Sequence, residues 1–324
     1  MTMSKRFDVV ALGELLIDFT ASGESDQGNP VFEANPGGAP CNVLAMLRKL
    51  DKRCAFIGKV GSDMFGQQLK AVAEGAGIDM SALRMDDKVR TTLAFVRNDA
   101  HGDREFSFYR NPGADMMLKK EELPLDVIAD ARIFHFGTLS MTHEEVREAT
   151  KAAVLAAKAA GAIISFDPNL RPPLWSSLAE ARAQIYWGLS QCDVLKIADN
   201  EIEFLTGTSD FDKGVSVLTE QCPNIRLINV TAGPNGSYAY YGNKRVFAPG
   251  FLLGGTIETT GAGDTFCASV LNFILEHGLN DLTRNDLKAM LRFANAAAYL
   301  VTTKKGAIRS MPEREQVEAI LREH

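Results

Sequence analysis

Short apolar runs alternate with longer helical patterns along most of this chain, and that alternation constrains its fold more than any other feature. The apolar runs have the length of strands buried on both faces, and they lie at Val9–Leu12, Ala55–Ile57, Ile133–Phe136, Ala162–Phe166, Val194–Ile197 and Leu227–Val230. The helical patterns between them include Val43–Leu50, Phe65–Gly75, Glu144–Ala160 and Leu178–Ser190. This order predicts an α/β fold in which helices cover both faces of a mainly parallel sheet.

Two N-terminal segments depart from this alternation. Leu15–Phe19 and Val31–Ala34 form one pair of extended runs, whereas Thr91–Arg97 and Arg104–Arg110 flank a turn-forming stretch at 98–103. These runs predict a small antiparallel sheet inserted at about residues 14–36 and 90–112, where it would cover a cleft as a lid. Since the rest of the chain contains no low-complexity linker and no repeat, the sequence predicts one domain over residues 1–324.

The composition is that of a globular protein with a full core. Of the 324 residues, 46% are hydrophobic and 23% charged, and the net charge is −6. No basic tract exceeds two residues, which argues against a nucleic-acid partner, and no apolar run approaches the ~18 residues of a membrane span. The five cysteines are scattered and form no CxxC pair, so we expect buried thiols and a cytoplasmic, reducing compartment.

The stretch Thr-Thr-Gly-Ala-Gly-Asp-Thr-Phe at 259–266 carries the clearest chemical signal. Apolar residues recur at helical spacing after it, which places Gly261 and Gly263 at a helix N-terminus. Free backbone N–H groups and the helix dipole attract anions there, and glycine lets a phosphate approach closely. Asp264 then puts a carboxylate beside the anion site, although an ordinary helix start fits the same pattern equally well.

This stretch resembles the C-terminal signature of the ribokinase-like (PfkB) carbohydrate kinases. The family's N-terminal signature is also present, as Pro-Gly-Gly-Ala-Pro-Cys-Asn-Val at 36–43 followed by Gly-Lys-Val-Gly-Ser-Asp-Met-Phe-Gly at 58–66. The resemblance extends over nearly the whole chain and implies a three-layer αβα core with a β lid. It further implies ATP-dependent phosphorylation of a sugar hydroxyl, with Asp264 as general base and Gly261, Ala262 and Gly263 forming an anion hole.

The resemblance also implies a sugar site near the N-terminus. Asp18 and Asn42 would hydrogen-bond sugar hydroxyls, while Gly37 and Gly38 would let the sugar approach the backbone. From the residues alone, Asp18 fits a solvated acid at a strand end and Asn42 fits a helix N-cap.

An ATP site with Mg²⁺ is implied as well. Asn200 and Glu203 match the family's NxxE element, which organises Mg²⁺ and phosphate largely through water, although they also make a fair helix-capping pair. The other residues expected near ATP, besides Gly261 and Gly263, are Thr231, Gly233, Gly236 and Asn295. A simple turn is the alternative for the loop at 231–236, and helix packing is the alternative for Asn295.

The family also builds a monovalent-cation site beside the anion hole, which implies possible activation by K⁺. Its counterparts in this chain are Glu258, Thr260 and Ser310. Glu258 departs from the family pattern, which usually has Asp at this position, so the longer side chain either preserves or displaces the site.

Within the family, the sequence resembles the fructokinases most, through Ala94–Val96, Arg104–Met116 and Asp167–Trp175. The residues expected at the sugar are therefore Phe95, Arg104, Phe108 and Arg171, with a structural salt bridge as the alternative for the last. The predicted activity is ATP- and Mg²⁺-dependent phosphorylation of D-fructose to fructose 6-phosphate.

Two alternatives stay open at this stage. A kinase of another sugar, such as 2-keto-3-deoxygluconate or ribose, is one, because Arg104, Arg110 and Arg171 would suit a sugar acid. A regulatory protein that binds sugar and nucleotide without catalysis is the other. The P-loop, the dinucleotide-binding GxGxxG, the protein-kinase HRD and DFG elements and HxxxH metal spacing are all absent from the sequence. Because open sheet edges favour association, the lid is a candidate homodimer interface.

Overall fold

The computed structural model describes residues 5–98 and 104–324. The strands in these ranges are β1 Phe7–Leu12, β2 Leu16–Glu24, β3 Pro30–Gly37, β4 Cys54–Gly61, β5 Leu83–Asp86, β6 Leu93–Asn98, β7 Arg104–Tyr109, β8 Ala131–Gly137, β9 Ile163–Asp167, β10 Val194–Ala198, β11 Leu227–Thr231, β12 Ser237–Tyr241 and β13 Lys244–Ala248. The α-helices are α1 Ala39–Lys49, α2 Met64–Gly75, α3 Leu125–Ala129, α4 Glu144–Ala159, α5 Leu178–Gln191, α6 Asp199–Thr206, α7 Phe211–Gln221, α8 Ala262–His277, α9 Arg284–Thr302 and α10 Arg314–Glu323.

The large sheet has the strand order β13-β12-β11-β10-β9-β8-β1-β4-β5. From β11 to β5 all neighbouring strands run parallel, and β12 and β13 continue the sheet as an antiparallel edge. The predicted α/β fold with a mainly parallel sheet is therefore confirmed, and each of the six apolar runs forms a strand.

Strand β1 shows why helices cover both faces of this sheet. All six of its residues are buried, and successive side chains point to opposite faces. Val9 and Ala11 join a core that includes residues of α1, α8 and α9, whereas Val10 and Leu12 join a second core with residues of α4 and α5. Burying both faces of the strand produces the three αβα layers.

The lid is a four-stranded sheet of order β3-β2-β6-β7. The pairs β2–β3 and β6–β7 are antiparallel, as predicted, but the central strands β2 and β6 run parallel. The expectation of a wholly antiparallel lid is therefore wrong. Each half is antiparallel within itself, and the two halves meet side by side with their first strands pointing the same way.

Helix α1 begins at Ala39, four residues before the start that the apolar pattern predicts. Its N-cap is Gly38, which offers no side-chain cap, and Pro40 lies in its first turn, where proline is tolerated. The sequence signal for this start was therefore weak, and Asn42 lies inside the helix.

All five cysteines are free and buried, as the sequence predicts. Among the described residues, no helix is both long and apolar enough to cross a membrane.

Candidate active site

A cavity of about 370 Å³ lies between the lid, the start of α8 and the carboxyl ends of the parallel strands. Ligands in open α/β sheets characteristically bind at such strand ends. The cavity brings together residues that are far apart in the sequence. Those predicted for the site and found in its lining are Asp18, Gly38, Asn42, Phe108, Arg171, Thr260, Gly261, Gly263 and Asp264.

Asp264 lies in the first turn of α8 and faces the N-terminal signature across the cavity. The amide Nδ2 of Asn42 donates a hydrogen bond to Asp264 Oδ2 at 2.8 Å. Burial raises the pKa of Asp264 to about 6; the charge of Asp167 also raises it, while Asn42, Lys196 and Arg171 lower it. A carboxylate with this pKa is ionised at neutral pH and is able to accept a proton there.

The glycines before Asp264 allow a close backbone approach at the start of α8. Gly261 caps the helix in the left-handed conformation, with φ of +81°. A Cβ at Gly261 would lie 2.9 Å from the Cβ of Ala307, so no larger residue fits without a shift. Because the first N–H groups of a helix have no partner within it, the geometry suits an anion.

The Gly37-Gly38 turn is crowded by strand β2 and the chain before it. A Cβ at Gly37 would lie 2.6 Å from Asp18 Oδ2, and one at Gly38 would lie 2.3 Å from the Glu14 carbonyl oxygen. The buried carboxylate of Glu14 accepts a hydrogen bond from Ala39 N at 2.8 Å, which holds this turn. Burial raises the pKa of Glu14 to about 7.

Asn42 is buried in α1, and the N-cap alternative for it is wrong because Gly38 occupies that position. Its Nδ2 is held by Asp264, but its Oδ1 is buried without a hydrogen-bond partner among the described residues. Buried oxygens are normally satisfied. The orphaned acceptor of Asn42, on the cavity wall, therefore indicates a place for a hydroxyl donor.

The lid presents different residues on its two faces. Asp18 pairs with Ala94, and Ala94 pairs with Phe108, so these three residues share the face toward the cavity. Phe95 is one residue further along β6 and thus belongs to the opposite face, where its ring stacks on Phe19 with centroids 4.8 Å apart. The structure therefore contradicts the predicted place of Phe95 at the sugar, because strand alternation turns it away.

The two other predicted sugar contacts from the fructokinase-like stretches have different outcomes. Arg171 lines the cavity, whereas the side chain of Arg104 lies outside the described residues. Arg110, an open candidate for a sugar acid, is buried and paired with Asp115, with Nη2–Oδ2 at 2.7 Å. It also donates to Thr142 Oγ1 and the Leu139 carbonyl, so its role in the structure is to fasten the base of the lid.

Sequence reasoning gave Lys196 no role, although it lines the cavity. It lies in β10 between apolar neighbours and forms an ion pair with Asp167 at 3.1 Å. The sequence signal that could have identified Lys196 is its charge in the middle of a strand that is otherwise apolar.

The element at the start of α6 that the resemblance assigns to nucleotide binding has one unexpected feature. Asn200 and Glu203 are exposed, and the capping acid is Glu201, whose Oε2 accepts from Ala198 N at 2.8 Å. The alternative of a capping pair made by Asn200 and Glu203 is therefore wrong. No cluster of three or more metal-ligating side chains occurs in the part of the chain described.

Beyond β11, Gly233 and Gly236 form the turn that leads into β12, and both have positive φ. A Cβ at Gly236 would lie 2.2 Å from the Ala248 carbonyl oxygen. Thr231 ends β11, with its Oγ1 3.5 Å from the Ile197 carbonyl oxygen. The loop is thus a turn between two strands, as the alternative stated. The nucleotide contacts expected of Thr231, Gly233 and Gly236 stay a prediction.

Asn295 is buried in α9 and holds the end of β13. Its Nδ2 donates to the carbonyls of Ala248 and Pro249, and its Oδ1 accepts from Ser237 Oγ at 2.8 Å. Because both N–H groups bind protein carbonyls, the packing alternative is the one observed, and it contradicts a direct hydrogen bond from this amide to adenine.

The residues predicted around a monovalent cation lie on two adjoining loops. Glu258 Oε1 accepts from Thr260 Oγ1 at 2.5 Å, and its Oε2 accepts from Gly306 N at 2.9 Å. Ser310 is buried and its hydroxyl donates to the Lys305 carbonyl. Glu258 thus connects the loop before α8 to the loop after α9.

These features fit a kinase of small hydroxylated molecules, and comparison with known proteins identifies the family. The family model of the pfkB carbohydrate kinases matches residues 6–314, so the chain belongs to the PfkB family of carbohydrate kinases. Within it, fructokinase-2 of Solanum habrochaites is 42% identical over 316 residues, which cover 97% of this chain and 96% of that protein.

Solved structures of fructokinases share the fold over nearly the whole length. The fructokinase of Xylella fastidiosa with bound ATP has a TM-score of 0.89 and 31% identity, with 98% of each chain covered. A double mutant of the Vibrio cholerae O395 fructokinase, in a form with bound fructose, ADP and a potassium ion, has a TM-score of 0.86 and 29% identity. The alignment covers 98% of this chain and 99% of that one.

Proposed function

We propose that this protein is an ATP-dependent fructokinase that phosphorylates D-fructose to fructose 6-phosphate. The observation that carries the proposal is the meeting of Asp264, at a glycine-rich helix start, with Asn42 on the wall of one cavity. This arrangement places a candidate base, an anion site and an unsatisfied hydroxyl acceptor together. The likeness to fructokinases over nearly the whole chain supports fructose as the sugar.

The sugar binds between the lid and α1. In this proposal Asp18 and the Oδ1 of Asn42 accept hydrogen bonds from sugar hydroxyls, which satisfies the buried oxygen of Asn42. The crowded Gly37-Gly38 turn leaves no side chain between sugar and backbone. Phe108, on the cavity face of the lid, shields the reacting atoms from water that would otherwise hydrolyse ATP.

Phosphoryl transfer takes place at the start of α8. Asp264 accepts the proton of the sugar 6-hydroxyl as the new O–P bond forms and the bond between the γ-phosphorus and the ADP oxygen breaks. The backbone N–H groups at Gly261 and Gly263 stabilise the negative charge on the transferring group, and that of Ala262 joins them by exchanging its long bond, 3.3 Å, to the Thr259 carbonyl. Both functions thus lie on one rigid helix start.

ATP and Mg²⁺ are the expected co-substrate and metal. The exposed Asn200 and Glu203 would hold a magnesium ion largely through water, which suits a metal that keeps several waters and binds mainly to phosphates. When bound, magnesium neutralises phosphate charge. Thr231, Gly233 and Gly236 would lie along the nucleotide, and the region of Glu258, Thr260 and Ser310 would hold a monovalent cation.

Two of the three arginines that would suit a sugar acid also favour fructose. Recognition of a carboxylate favours an arginine with a free planar face, but Arg110 is committed to Asp115. Arg171 faces a cavity that already contains Asp264 and Asp18. The negative charges of these two residues disfavour the carboxylate of a sugar acid in the same cavity.

The outer face of the lid supports a homodimer of single-domain subunits. Phe19, Phe32, Phe95 and Tyr109 form an aromatic group there, and Tyr109 is 64% exposed. A second copy placed on this face would cover the aromatic surface. The unpaired buried thiols support a reducing, cytoplasmic compartment.

The direct test measures ADP release over a panel of fructose, ribose and 2-keto-3-deoxygluconate. We expect fructose to have the highest kcat/KM. If another sugar ranks well above it, the substrate assignment is wrong. Binding of fructose and ATP without turnover of any sugar would instead support the regulatory alternative.

A further inference from the structure

Lys196 is a buried cation that the mechanism above does not use. Only 7% of the residue is exposed, and it lies in β10 between Leu195 and Ile197. Its Nζ is 3.1 Å from Asp167 Oδ2 and 3.3 Å from Asp167 Oδ1, on the neighbouring strand β9. Among the described residues, the carboxylate of Asp167 is thus the one paired with this ammonium.

The ammonium of Lys196 lies against the predicted anion hole. A Cβ built on Gly263 would be 3.2 Å from Lys196 Nζ, so the absence of a side chain at Gly263 brings the ammonium to the backbone of the helix start. Lys196 and Gly263 both line the cavity. A phosphoryl group at the N–H groups of α8 would therefore lie beside a fixed positive charge.

The charges around Lys196 keep it protonated. Burial lowers its pKa, but the negative charges of Asp167, Glu201 and Asp264 raise it by a larger amount. The pKa of Lys196 therefore lies above the ordinary lysine value. The buried His135 lies near the same cation, which helps to keep the imidazole neutral. Lys196 thus does not serve as a proton acceptor, and its chemical use is that of a permanent ammonium.

We infer that Lys196 is a catalytic residue whose ammonium binds the transferring phosphoryl group at Gly261–Gly263 and stabilises its negative charge. The inference rests on the proposed phosphoryl transfer. Lys196 keeps its protons throughout, while Asp264 takes the proton of the sugar hydroxyl. Asp167 is the positioning residue that holds the ammonium toward the helix start.

The test compares Lys196→Met with the double variant Lys196→Met/Asp167→Asn. Removing one partner of a buried ion pair leaves an uncompensated charge, whereas removing both does not. The double variant therefore separates folding from catalysis. We expect both variants to lose kcat by roughly 10²–10³-fold, the cost of deleting one donor to a developing oxyanion. The affinity for ADP, which lacks the transferred group, should stay within about threefold.

Lys59→Met is the matched control. Lys59 is likewise buried in a strand, β4, and paired with carboxylates, those of Asp86 and Glu122, but it is absent from the cavity lining. We expect this variant to unfold at a lower temperature and, while folded, to keep wild-type kcat.

A folded double variant with kcat within about threefold of the wild type would overturn the inference and make Lys196 structural. A wild type that phosphorylates no sugar would instead refute the proposed function. If neither variant folds, the wild-type crystal structure with fructose, ADP and aluminium fluoride decides. We expect Lys196 Nζ within hydrogen-bond distance, about 3.2 Å or less, of a fluoride, and a separation that excludes contact would refute the role.

Discussion

The floor of the cavity and its lid are built in different ways. The floor is the start of α8, where consecutive residues place the candidate anion site of the backbone next to the carboxylate of Asp264, the candidate base. The lid contributes side chains from separate strands, and only every second residue faces the cavity. In the proposed reaction, we therefore expect the floor to control the rate of transfer and the lid to control the affinity for the sugar.

Asp264→Asn tests the role of the floor most directly, because it keeps the shape of the side chain and removes the proposed base. We expect kcat to fall by roughly 10²–10⁴-fold, the range for loss of a general base, with ATP binding and folding largely intact. Steady-state kinetics under chemistry-limited conditions, together with thermal unfolding, measure this.

Asp286→Asn is the control for the helix start. Asp286 also lies in the first turn of a helix, α9, where it bonds Thr283, but it is half-buried and does not line the cavity. It should leave kcat unchanged. An Asp264→Asn enzyme that keeps more than about a third of wild-type kcat would contradict the base assignment.

On the lid, Asp18→Ala should chiefly weaken fructose binding. Loss of a charged acceptor in a closed site costs ~1.5–3 kcal/mol, or about 10- to 150-fold in affinity. Titration calorimetry with fructose and with ADP measures the two affinities separately. Phe95→Leu, on the opposite face of the lid, should leave fructose affinity unchanged. Equal weakening of fructose and ADP by Asp18→Ala would show that the variant disturbs the fold rather than the sugar contact.

The pH dependence of kcat tests whether Asp264, in the floor, is the base. Burial raises the pKa of Asp264 to about 6, and a base works only when deprotonated. Activity should therefore fall as pH drops through about 6, by about tenfold for each further unit. Glu14, with a pKa of about 7, titrates in the same cavity, so the profile of Glu14→Gln separates the two groups. If the acid limb disappears in Glu14→Gln, Asp264 is not the titrating base.

The smallest expected effect concerns K⁺. Replacing K⁺ with tetramethylammonium should lower kcat several-fold, because Glu258 connects the two loops expected around a monovalent cation. Activity of the wild type that is independent of K⁺ over a wide concentration range would show that the site is absent. If Glu258→Gln responds to K⁺ as the wild type does, Glu258 is not part of the cation site.

The sequence predicted the floor more fully than the lid, for physical reasons. Gly261, Gly263 and Asp264 lie within four consecutive residues, so local helix rules already place the candidate anion site and the carboxylate together. Phe95 was misplaced because the face of a strand depends on register, and a shift of one residue reverses it. The parallel pairing of β2 with β6 depends on how two distant segments meet, which no local pattern encodes.

Polar residues inside the core were the other gap. Lys196 in β10 and Glu14 after β1 lie in stretches that were interpreted as strands from their apolar residues. The two charged side chains were therefore given no role. The packing role of Asn295 was not readable from the sequence, because its hydrogen-bond partners, at 237, 248 and 249, lie in β12 and at the end of β13 and reach α9 only by folding.

The hydrogen bond from Asn42 to Asp264 joins residues separated by 222 positions in the chain. During synthesis, α1 leaves the ribosome long before α8 exists. The hydrogen bond between Asn42 and Asp264 therefore forms only after most of the chain has emerged. A truncated product that ends before α8 therefore has no active site, however well its first strands pair. The candidate site therefore forms only after the chain has been synthesised through α8.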